Sequence, residues 1–434
     1  MNHDDMTAAE ALARLSVPGR PTDRFELDRR RFLQMVGYGV GAGALTGSLG
    51  ELLSSPDARQ AYAAAPISDT DGILVIIGQY GGRDGLNTVV PYADPNYQSQ
   101  HGNLAFQAGD VLRINSSIGL HPSLTNIKAL YDSGQVAILQ GVGYPDPDLS
   151  HFSSMAYWMS AYPGVDAPTS GWIGRWLDRL GSDAASRALT LGENLPLHMV
   201  GSTVRALGVP EGGPGFAGDT DPEQVWMYDA IRAWAATPSG RGKWHDAVAG
   251  SMRDMVDIGQ RLAPVFQGDL PGGGLERSLT VAARLINADL GFRVIDTNQG
   301  GWDTHANEPW QVADLLGDFD RGVQSFFATL DRRFRDRVIL MTFSEFGRTS
   351  YDNDSYGTDH GTSNCHFVIG SKVEGGLYGT QPSLAGLERW DRMDFGIDFR
   401  SMYASVLDGW MGGGAAEILG GTFPDLGLFT SGPT

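Results

Sequence analysis

Short runs of consecutive apolar residues recur along the chain, and each has the length and β-branched content of a buried strand. They cover residues 73–77, 136–139, 338–343 and 367–369, with a weaker run at 292–296. Between them, apolar residues return at spacings of three and four, which predicts amphipathic helices. The helical segments are residues 124–131, 171–180, 225–235, 248–262, 279–290 and 315–334. Strands alternating with helices predict a doubly wound, mostly parallel α/β sheet with helices on both faces.

The segment between the second strand and the weak strand contains mostly helical patterns and loops. Two clusters of glycine and proline, at residues 208–218 and 268–274, are typical of surface loops. We therefore expect a single α/β domain over residues 66–434, with a helical insertion at about residues 163–275.

The N-terminal region has the pattern of an export signal. Residues 28–34 read Asp-Arg-Arg-Arg-Phe-Leu-Gln, a glycine-rich apolar stretch follows at 35–49, and small residues at 61–66 fit an A-x-A cleavage site. This order predicts a twin-arginine signal peptide over residues 1–65, recognised by the twin-arginine translocase, and a periplasmic or extracellular mature chain. The alternative is a disordered basic arm with a chance arginine triplet.

Membrane spanning is not expected of the mature chain. A helix needs about 20 predominantly apolar residues to cross a bilayer core, and the glycine-rich stretch of the signal is shorter than that. Beyond it, no apolar run approaches this length.

Charge and cysteine content narrow the classes of function. The chain has 51 Asp and Glu residues against 32 Lys and Arg, a formal net charge of −19. Nucleic acid is not an expected partner, because proteins that bind it need a basic surface.

Cys365 is the only cysteine, so no internal disulfide can form. A lone cysteine of this kind is more typical of a small buried residue than of a nucleophile.

Polar residues follow or flank the predicted strands, where loops of a parallel sheet converge on ligands. Mixed carboxylate and imidazole side chains suit zinc, manganese or iron better than calcium. We therefore predict a site for a divalent metal ion, zinc, manganese or similar. The candidate ligands are Asp84, Asp303, His305, Glu345, Asp359 and His360.

Each motif taken alone has a structural alternative. Ser150 could be a nucleophile at a helix start or simply an N-cap residue. Asp303 and His305 could be metal ligands or a hydrogen-bonded pair within a loop. Glu345 could bind metal or pair with Arg348.

Several motifs together resemble the domain-of-unknown-function family 1501, and the resemblance covers essentially everything after the signal. That family is similar to the alkaline-phosphatase-like superfamily, which includes sulfatases. The motifs lie at residues 81–91, 119–122, 150–152, 301–305, 344–348 and 358–362, with a closing segment at 398–407.

The resemblance implies a doubly wound sheet with one or two metal ions beside a nucleophile. It implies that Asp84 is the metal carboxylate after the first strand, and that Asp303 and His305 are a ligand pair. Ser150 would be the nucleophile, with Thr88 or Ser153 as competitors.

Two alignments of the later motifs remain open. The superfamily's Asp-His-Gly motif could correspond to residues 359–361 or, by position after a strand, to residues 345–347. We prefer the second because it keeps the strand order. His360 would then be a later, isolated ligand, and Phe346 would replace a ligating histidine and deplete one metal site.

The functional hypothesis is an exported, metal-dependent hydrolase of phosphate or sulfate esters that acts on a small anionic ester. Ser150 or a water would attack, His151 could relay protons, and Arg83 and Arg348 would hold the anion. The alternative is a non-catalytic exported scaffold or binding protein that retains the fold and binds a cell-envelope component.

Overall fold

The computed structural model describes residues 67–192, 194–214, 222–238 and 240–433. The predicted twin-arginine signal, residues 1–65, lies outside the described residues. Within the described part of the chain, no helix has both the length and the apolar character needed to cross a membrane.

The strands and helices alternate along much of the chain. The strands are β1 (Ile73–Gln79), β2 (Val89–Val90), β3 (Leu112–Arg113), β4 (Gly119–Leu120), β5 (Val136–Gly143), β6 (Ala188–Leu191), β7 (Leu207–Val209), β8 (Val294–Gln299), β9 (Val338–Phe343), β10 (Arg348–Asp352), β11 (Thr358–His360), β12 (Asn364–Ile369), β13 (Gly376–Tyr378) and β14 (Ile397–Asp398). The helices are α1 (Pro95–Gln100), α2 (Thr125–Asp132), α3 (His151–Ser160), α4 (Trp172–Leu180), α5 (Pro222–Ala235), α6 (Lys243–Leu262), α7 (Gly274–Asn287), α8 (Glu308–Thr329), α9 (Phe399–Gly409) and α10 (Ala415–Ile418).

The central sheet has the strand order β13-β5-β12-β9-β1-β8-β6-β7, and β14 also pairs with β5. β1 lies in the middle and is parallel to β8 and β9. β12 is antiparallel to both of its neighbours, β5 and β9, while the remaining pairs of the sheet are parallel. The predicted mostly parallel α/β sheet is confirmed.

Successive side chains of β1 pack into two different cores. Ile73, Val75 and Ile77 face the core that contains α2, α7 and α8. Leu74 and Ile76 face the core that contains α4, α9 and α10. Each such buried side chain is worth roughly 1.5–3 kcal/mol. Coverage on both faces is why these strands read as continuous apolar runs rather than as alternating ones.

Several strand boundaries differ from the sequence expectation. β1 and β5 continue to Gln79 and Gly143, beyond the expected ends at residues 77 and 139, and two further strands differ as well. The weak strand expected at residues 292–296 is β8, which ends only at Gln299. The strand expected at 367–369 is β12, which begins at Asn364. In both cases the missed residues include buried polar ones, which an apolar-run criterion cannot recognise.

The segment expected as a helical insertion, about residues 163–275, also supplies strands. β6 and β7 lie within it and join the edge of the central sheet beside β8. β6 is four residues long and β7 three, too short to stand out as apolar runs. The helical part of this segment is formed by α4, α5 and α6.

Candidate metal centre

Loops from distant parts of the chain bring three histidines around one aspartate at the carboxyl ends of the central strands. His151 begins α3 after β5, Asp303 and His305 follow β8, and His360 ends β11. The backbone is tightly packed here. A Cβ on Gly81, whose φ is +122°, would lie 2.4 Å from the backbone nitrogen of Asp303, so this turn requires glycine.

The imidazole Nε2 atoms converge on a single carboxylate oxygen. Asp303 Oδ1 lies 3.0 Å from His305 Nε2, 3.2 Å from His360 Nε2 and 3.4 Å from His151 Nε2. The Nε2 atoms of His305 and His360 are 3.0 Å apart. One ligand atom each of His151, Asp303 and His360 lie within 4.8 Å of one another, and His305 Nε2 adjoins this group through its short distances to Asp303 Oδ1 and His360 Nε2.

The opposite ring nitrogen, Nδ1, of each histidine contacts an oxygen acceptor. Such an acceptor requires the hydrogen on Nδ1, so each neutral ring carries its lone pair on Nε2. Partners of this kind orient the histidine ligands of metal sites. They are Glu345 Oε1 for His151 at 2.8 Å, Asp359 Oδ1 for His305 at 3.2 Å, and the Leu149 carbonyl oxygen for His360 at 2.9 Å.

The residues present fit a divalent metal ion. Lone pairs of His305 and His360 that face each other at 3.0 Å repel unless a cation or a proton lies between them. His151 Nε2 is buried and has no hydrogen-bond partner among the described residues. A set of imidazole nitrogens with one carboxylate oxygen suits zinc, manganese or iron, whereas calcium prefers oxygen ligands.

Arg348 lies buried beneath Asp303 and holds it in place. Its Nη2 donates hydrogen bonds to Asp303 Oδ1 at 2.8 Å and to the Trp302 carbonyl at 2.9 Å, and its Nε donates to the Gly82 carbonyl at 2.5 Å. Burial alone would raise the pKa of Asp303, but the hydrogen bond and charge of Arg348, with help from the neighbouring histidines, lower it to about 2. Asp303 is therefore a carboxylate at neutral pH.

The histidines of the centre differ in basicity. The hydrogen bond to Glu345 raises the pKa of His151 above its usual value, against the opposing effect of burial. Burial lowers the pKa of His360, although its hydrogen bonds to the Leu149 carbonyl and Asp303 oppose this. His360 is thus the ring more readily kept neutral.

Ser150 lies beside the centre. It occupies the N-cap position of α3, but its hydroxyl makes no capping hydrogen bond, so the side-chain cap considered from the sequence does not form. The residue is exposed, and the adjacent Leu149 carbonyl contacts His360. Thr88, a competing nucleophile in the sequence interpretation, is buried and donates to the Asp84 carbonyl at 2.6 Å.

Arg83 and Asp84 are not brought to the centre. Gly81 and Gly82 both have positive φ, +122° and +69°, and the turn they form leads the chain back into the interior. Arg83 is buried and donates to the Cys365 carbonyl, with Cys365 Sγ 3.4 Å from its Nη2. In this structure Arg83 therefore cannot bind an anion at the three histidines, and Asp84 cannot bind a metal ion there.

Asp84 belongs instead to a second, fully buried cluster with His101 and Glu308. Both ring nitrogens of His101 face acceptors, Asp84 Oδ2 at 3.1 Å and the Ser350 carbonyl at 3.0 Å, which fits a protonated ring. Burial opposes that proton, but the Asp84 carboxylate raises the pKa of His101. Burial and Asp84 raise the pKa of Glu308 well above its usual value.

The pKa shifts of these groups describe a buried ion pair of Asp84 and His101 beside the neutral carboxyl group of Glu308. The pKa of Asp84 falls to about 2, because contacts with His101 and others outweigh burial. The His101–Asp84 pair balances its own charge without a metal ion, whereas Glu308 Oε1 has no hydrogen-bond partner among the described residues. Neither Glu308 nor His101 is marked as a site residue by a sequence pattern, because their meeting depends on how α8 and α1 pack.

Phe346 occupies the position where the preferred alignment expects a lost histidine ligand. Its ring is buried, 4.9 Å from the ring of His151 and 4.8 Å from that of His360 between centroids. An apolar ring cannot bind a metal ion, so the arrangement favours a single metal.

Residues 252–412 match the family model described as "Protein of unknown function (DUF1501)". The matched part contains Asp303, His305, Glu345, Asp359 and His360, and over it the family resemblance is confirmed. The earlier motifs, including Ser150 and His151, lie outside the matched residues. No curated protein matches the chain.

Several solved structures are similar to this chain at low sequence identity. The lipoteichoic acid synthase LtaP from Listeria monocytogenes is 9% identical, with 79% of this chain and 80% of that chain covered and a TM-score of 0.34. The PsFucS1 sulfatase from Pseudoalteromonas sp. is 10% identical, with 89% and 75% covered and a TM-score of 0.35. A protein in the alkaline phosphatase superfamily from Vibrio parahaemolyticus is 10% identical, with 79% and 73% covered and a TM-score of 0.34. Likenesses this distant carry no argument about activity.

Proposed function

We propose that this chain, whose residues 252–412 match the DUF1501 family, is an exported, metal-dependent hydrolase of phosphate or sulfate esters. The observation that carries the proposal is the shared orientation of His151, His305 and His360. Each presents Nδ1 to an oxygen acceptor and Nε2 to the side of Asp303 Oδ1. This is the arrangement of metal-ligating imidazoles with orienting partners.

In this proposal, the three histidines and Asp303 hold the metal ion. Glu345 and Asp359 keep two of the rings in the correct tautomer, and Arg348 keeps Asp303 ionised. When bound, a divalent metal ion supplies positive charge that polarises an ester oxygen and lowers the pKa of a nearby hydroxyl. This set of ligands differs from the set predicted from the sequence. His151 is added as a ligand, and Glu345 and Asp359 orient ligands instead of binding the metal ion themselves.

Ser150 is our candidate nucleophile. Its hydroxyl is not used as a cap, and it stands at the N-terminus of α3, where backbone N–H groups of the first turn favour an anion. An ester oxygen bound there would need no arginine. Attack by the Ser150 oxygen would form a Ser150 ester with phosphorus or sulfur and break the bond to the leaving alcohol oxygen, which takes up the proton that Ser150 loses. Water would then hydrolyse the Ser150 ester and restore the hydroxyl group.

One observation favours the second candidate, a non-catalytic exported binding protein with the same fold. Arg83 and Arg348 are both buried, and both donate to backbone carbonyls. Neither guanidinium is exposed at the surface, where an ester anion would bind. In a binding protein of this kind, the metal ion would stabilise the fold or help to bind a cell-envelope component, and it would not catalyse hydrolysis.

An assay separates the two candidates. Protein loaded with zinc or manganese is tested on nitrophenyl phosphate and nitrophenyl sulfate, beside Ser150→Ala and the neighbouring control Ser153→Ala. We expect turnover of one ester, a loss on the order of 10³-fold in Ser150→Ala, and little change in Ser153→Ala. Metal-loaded protein that hydrolyses neither ester would favour the binding protein.

A further inference from the structure

Exposed aromatic side chains lie beside the candidate metal centre. Phe152 is 91% exposed, Trp310 78% and Tyr356 57%. A single exposed aromatic residue needs no explanation. These three, which we call the aromatic rim, are all carried by segments that also carry or contact the histidines of the centre.

Backbone contacts fix the position of each rim residue. Phe152 directly follows His151 in α3. Tyr356 lies at the tip of the hairpin joining β10 to β11, and that tip packs on His305. A Cβ on Gly357 would lie 2.2 Å from the His305 carbonyl carbon.

Trp310 is held close to Tyr356. It lies in the first turn of α8, and the N–H of Glu308, the first residue of that helix, donates to the Tyr356 carbonyl at 2.8 Å. The backbones of Trp310 and Tyr356 therefore lie on the His305 side of the centre, and the backbone of Phe152 lies on the His151 side.

Tyr356 is presented by a fixed turn. Its φ is +58°, a left-handed conformation that bulky residues rarely adopt. Asn353 Oδ1 stabilises the turn by accepting the N–H groups of Ser355 at 2.9 Å and Gly357 at 3.1 Å. A rigid turn reduces the entropy that a ligand must overcome on binding to the ring.

The centre itself is shallow. The side chains of Asp303 and His305 are 48% and 43% exposed, whereas pockets for small molecules enclose most of the ligand surface. A ligand that reacts at this centre must therefore gain much of its binding free energy from the surrounding surface, where the aromatic rim lies.

Polar residues that neighbour the rim residues in the sequence indicate the class of ligand. Asn307 and Gln311 lie within three positions of Trp310, and Asp354 and Ser355 precede Tyr356. Aromatic faces next to hydrogen-bonding groups match a sugar, which has an apolar C–H face and hydroxyl groups at its edge.

Charge disfavours other ligands that aromatic side chains could bind. Nucleic acid bases also stack on aromatic rings, but their backbone needs a positively charged groove. The chain has a formal net charge of −19, which opposes densely charged ligands such as nucleic acid or an anionic membrane surface more than it opposes a glycan whose esters are sparse.

We propose that Phe152, Trp310 and Tyr356 form a stacking surface for sugar rings, so that the substrate is a glycan carrying a phosphate or sulfate ester. The substrate assignment rests on the proposed hydrolase function, whereas the stacking surface can be tested without turnover.

The test is affinity electrophoresis of the full chain in gels containing dextran, laminarin, chondroitin sulfate or dextran sulfate. We expect at least one polysaccharide to retard the protein, and Trp310→Ala or Tyr356→Ala to weaken that binding about tenfold or more, as for stacking residues elsewhere. Trp310→Gln repeats the test with a polar side chain. Leu180→Ala, at the end of α4 and 45% exposed, is the control and should bind as the wild type does.

Three results would overturn the proposal. They are no retardation of the wild type by any of the polysaccharides, equal retardation of the Trp310 variants, and rim-dependent sedimentation with phosphatidylcholine–phosphatidylglycerol vesicles in place of glycan binding. Wild-type hydrolysis of the nitrophenyl esters is measured in parallel. Glycan binding without turnover would contradict the proposed hydrolase function but support the stacking surface. Turnover without glycan binding would support the hydrolase function but contradict the stacking surface.

Discussion

His305 and His360 point their Nε2 atoms at each other across 3.0 Å, although the two residues are 55 positions apart in the chain. Each ring presents its other nitrogen to an oxygen, Asp359 Oδ1 or the Leu149 carbonyl. Neutral rings held in this way expose two lone pairs to one another. A bound cation or a shared proton relieves that repulsion.

Asp359→Asn should weaken metal binding without unfolding the protein. The change keeps the shape of the side chain but replaces the carboxylate that accepts the Nδ1 hydrogen of His305. Loss of such an orienting partner typically costs 10- to 100-fold in metal affinity. Competition with a chromophoric chelator measures the dissociation constant, and Asp354→Asn, an exposed neighbour on the same hairpin, is the control. Equal affinity in the two variants would contradict the orienting role.

Arg348→Lys should destabilise the fold by about 3 kcal/mol or more, because lysine lacks the planar fork that serves Asp303 and several buried carbonyls at once. The free energy of unfolding is measured in urea. Arg179→Lys, at a partly exposed pair with Glu417 at 3.5 Å, should change it by less than about 1 kcal/mol. A similar, small effect at both positions would argue against a buried structural role for Arg348.

Glu308→Gln should flatten the dependence of stability on pH. Burial and the neighbouring Asp84 raise the pKa of Glu308 in the folded chain. The folded chain therefore binds the proton of Glu308 more tightly than the unfolded chain does. The stabilisation that this gives is complete below the unfolded pKa, near 4.5, and is lost as the pH rises. Glutamine imitates the protonated form at every pH.

The corresponding measurement is thermal unfolding between pH 5 and pH 9 in the presence of a chelator. Relative to the wild type, Glu308→Gln should gain stability as the pH rises. Glu417→Gln, whose side chain is 77% exposed, should follow the wild-type curve. A wild-type curve that runs parallel to that of Glu308→Gln would show that Glu308 does not hold its proton in the folded chain.

Cys365 should be unreactive in the folded protein. The residue is 4% exposed, and burial raises the pKa of its thiol despite the nearby Arg83, so little thiolate is available for attack. Titration with a thiol-specific disulfide reagent should therefore proceed slowly in buffer and promptly in urea. Rapid modification of the native protein would rule out the buried, inert thiol.

Sequence patterns identified the centre of the fold well, for physical reasons. β1 and β9 are covered on both faces, so residues 73–77 and 338–343 read as uninterrupted apolar runs. β6 and β7 lie at the edge of the sheet and are short, so no pattern marked them as strands.

The site was predictable only in part. Because Asp303, His305 and Glu345 follow strands, their loops could be placed at one edge of the sheet from sequence. The inward turn at Gly81 and Gly82, which removes Asp84 from that edge, depends on backbone angles that no residue pattern specifies. The proposed roles of His151 as a ligand and Glu345 as its orienting partner likewise depend on which ring nitrogen faces which oxygen, which side-chain packing decides.

The most direct test of the central claim is the metal content of the purified chain. After loading with zinc or manganese and extensive dialysis, elemental analysis should find about one ion per chain in the wild type. It should find much less in His305→Ala and His360→Ala, and the wild-type amount in Glu308→Gln, which changes none of the proposed ligands or their orienting partners. Wild-type protein without a bound ion, or an ion lost in Glu308→Gln but kept in His305→Ala, would contradict a metal centre built from His151, His305, His360 and Asp303.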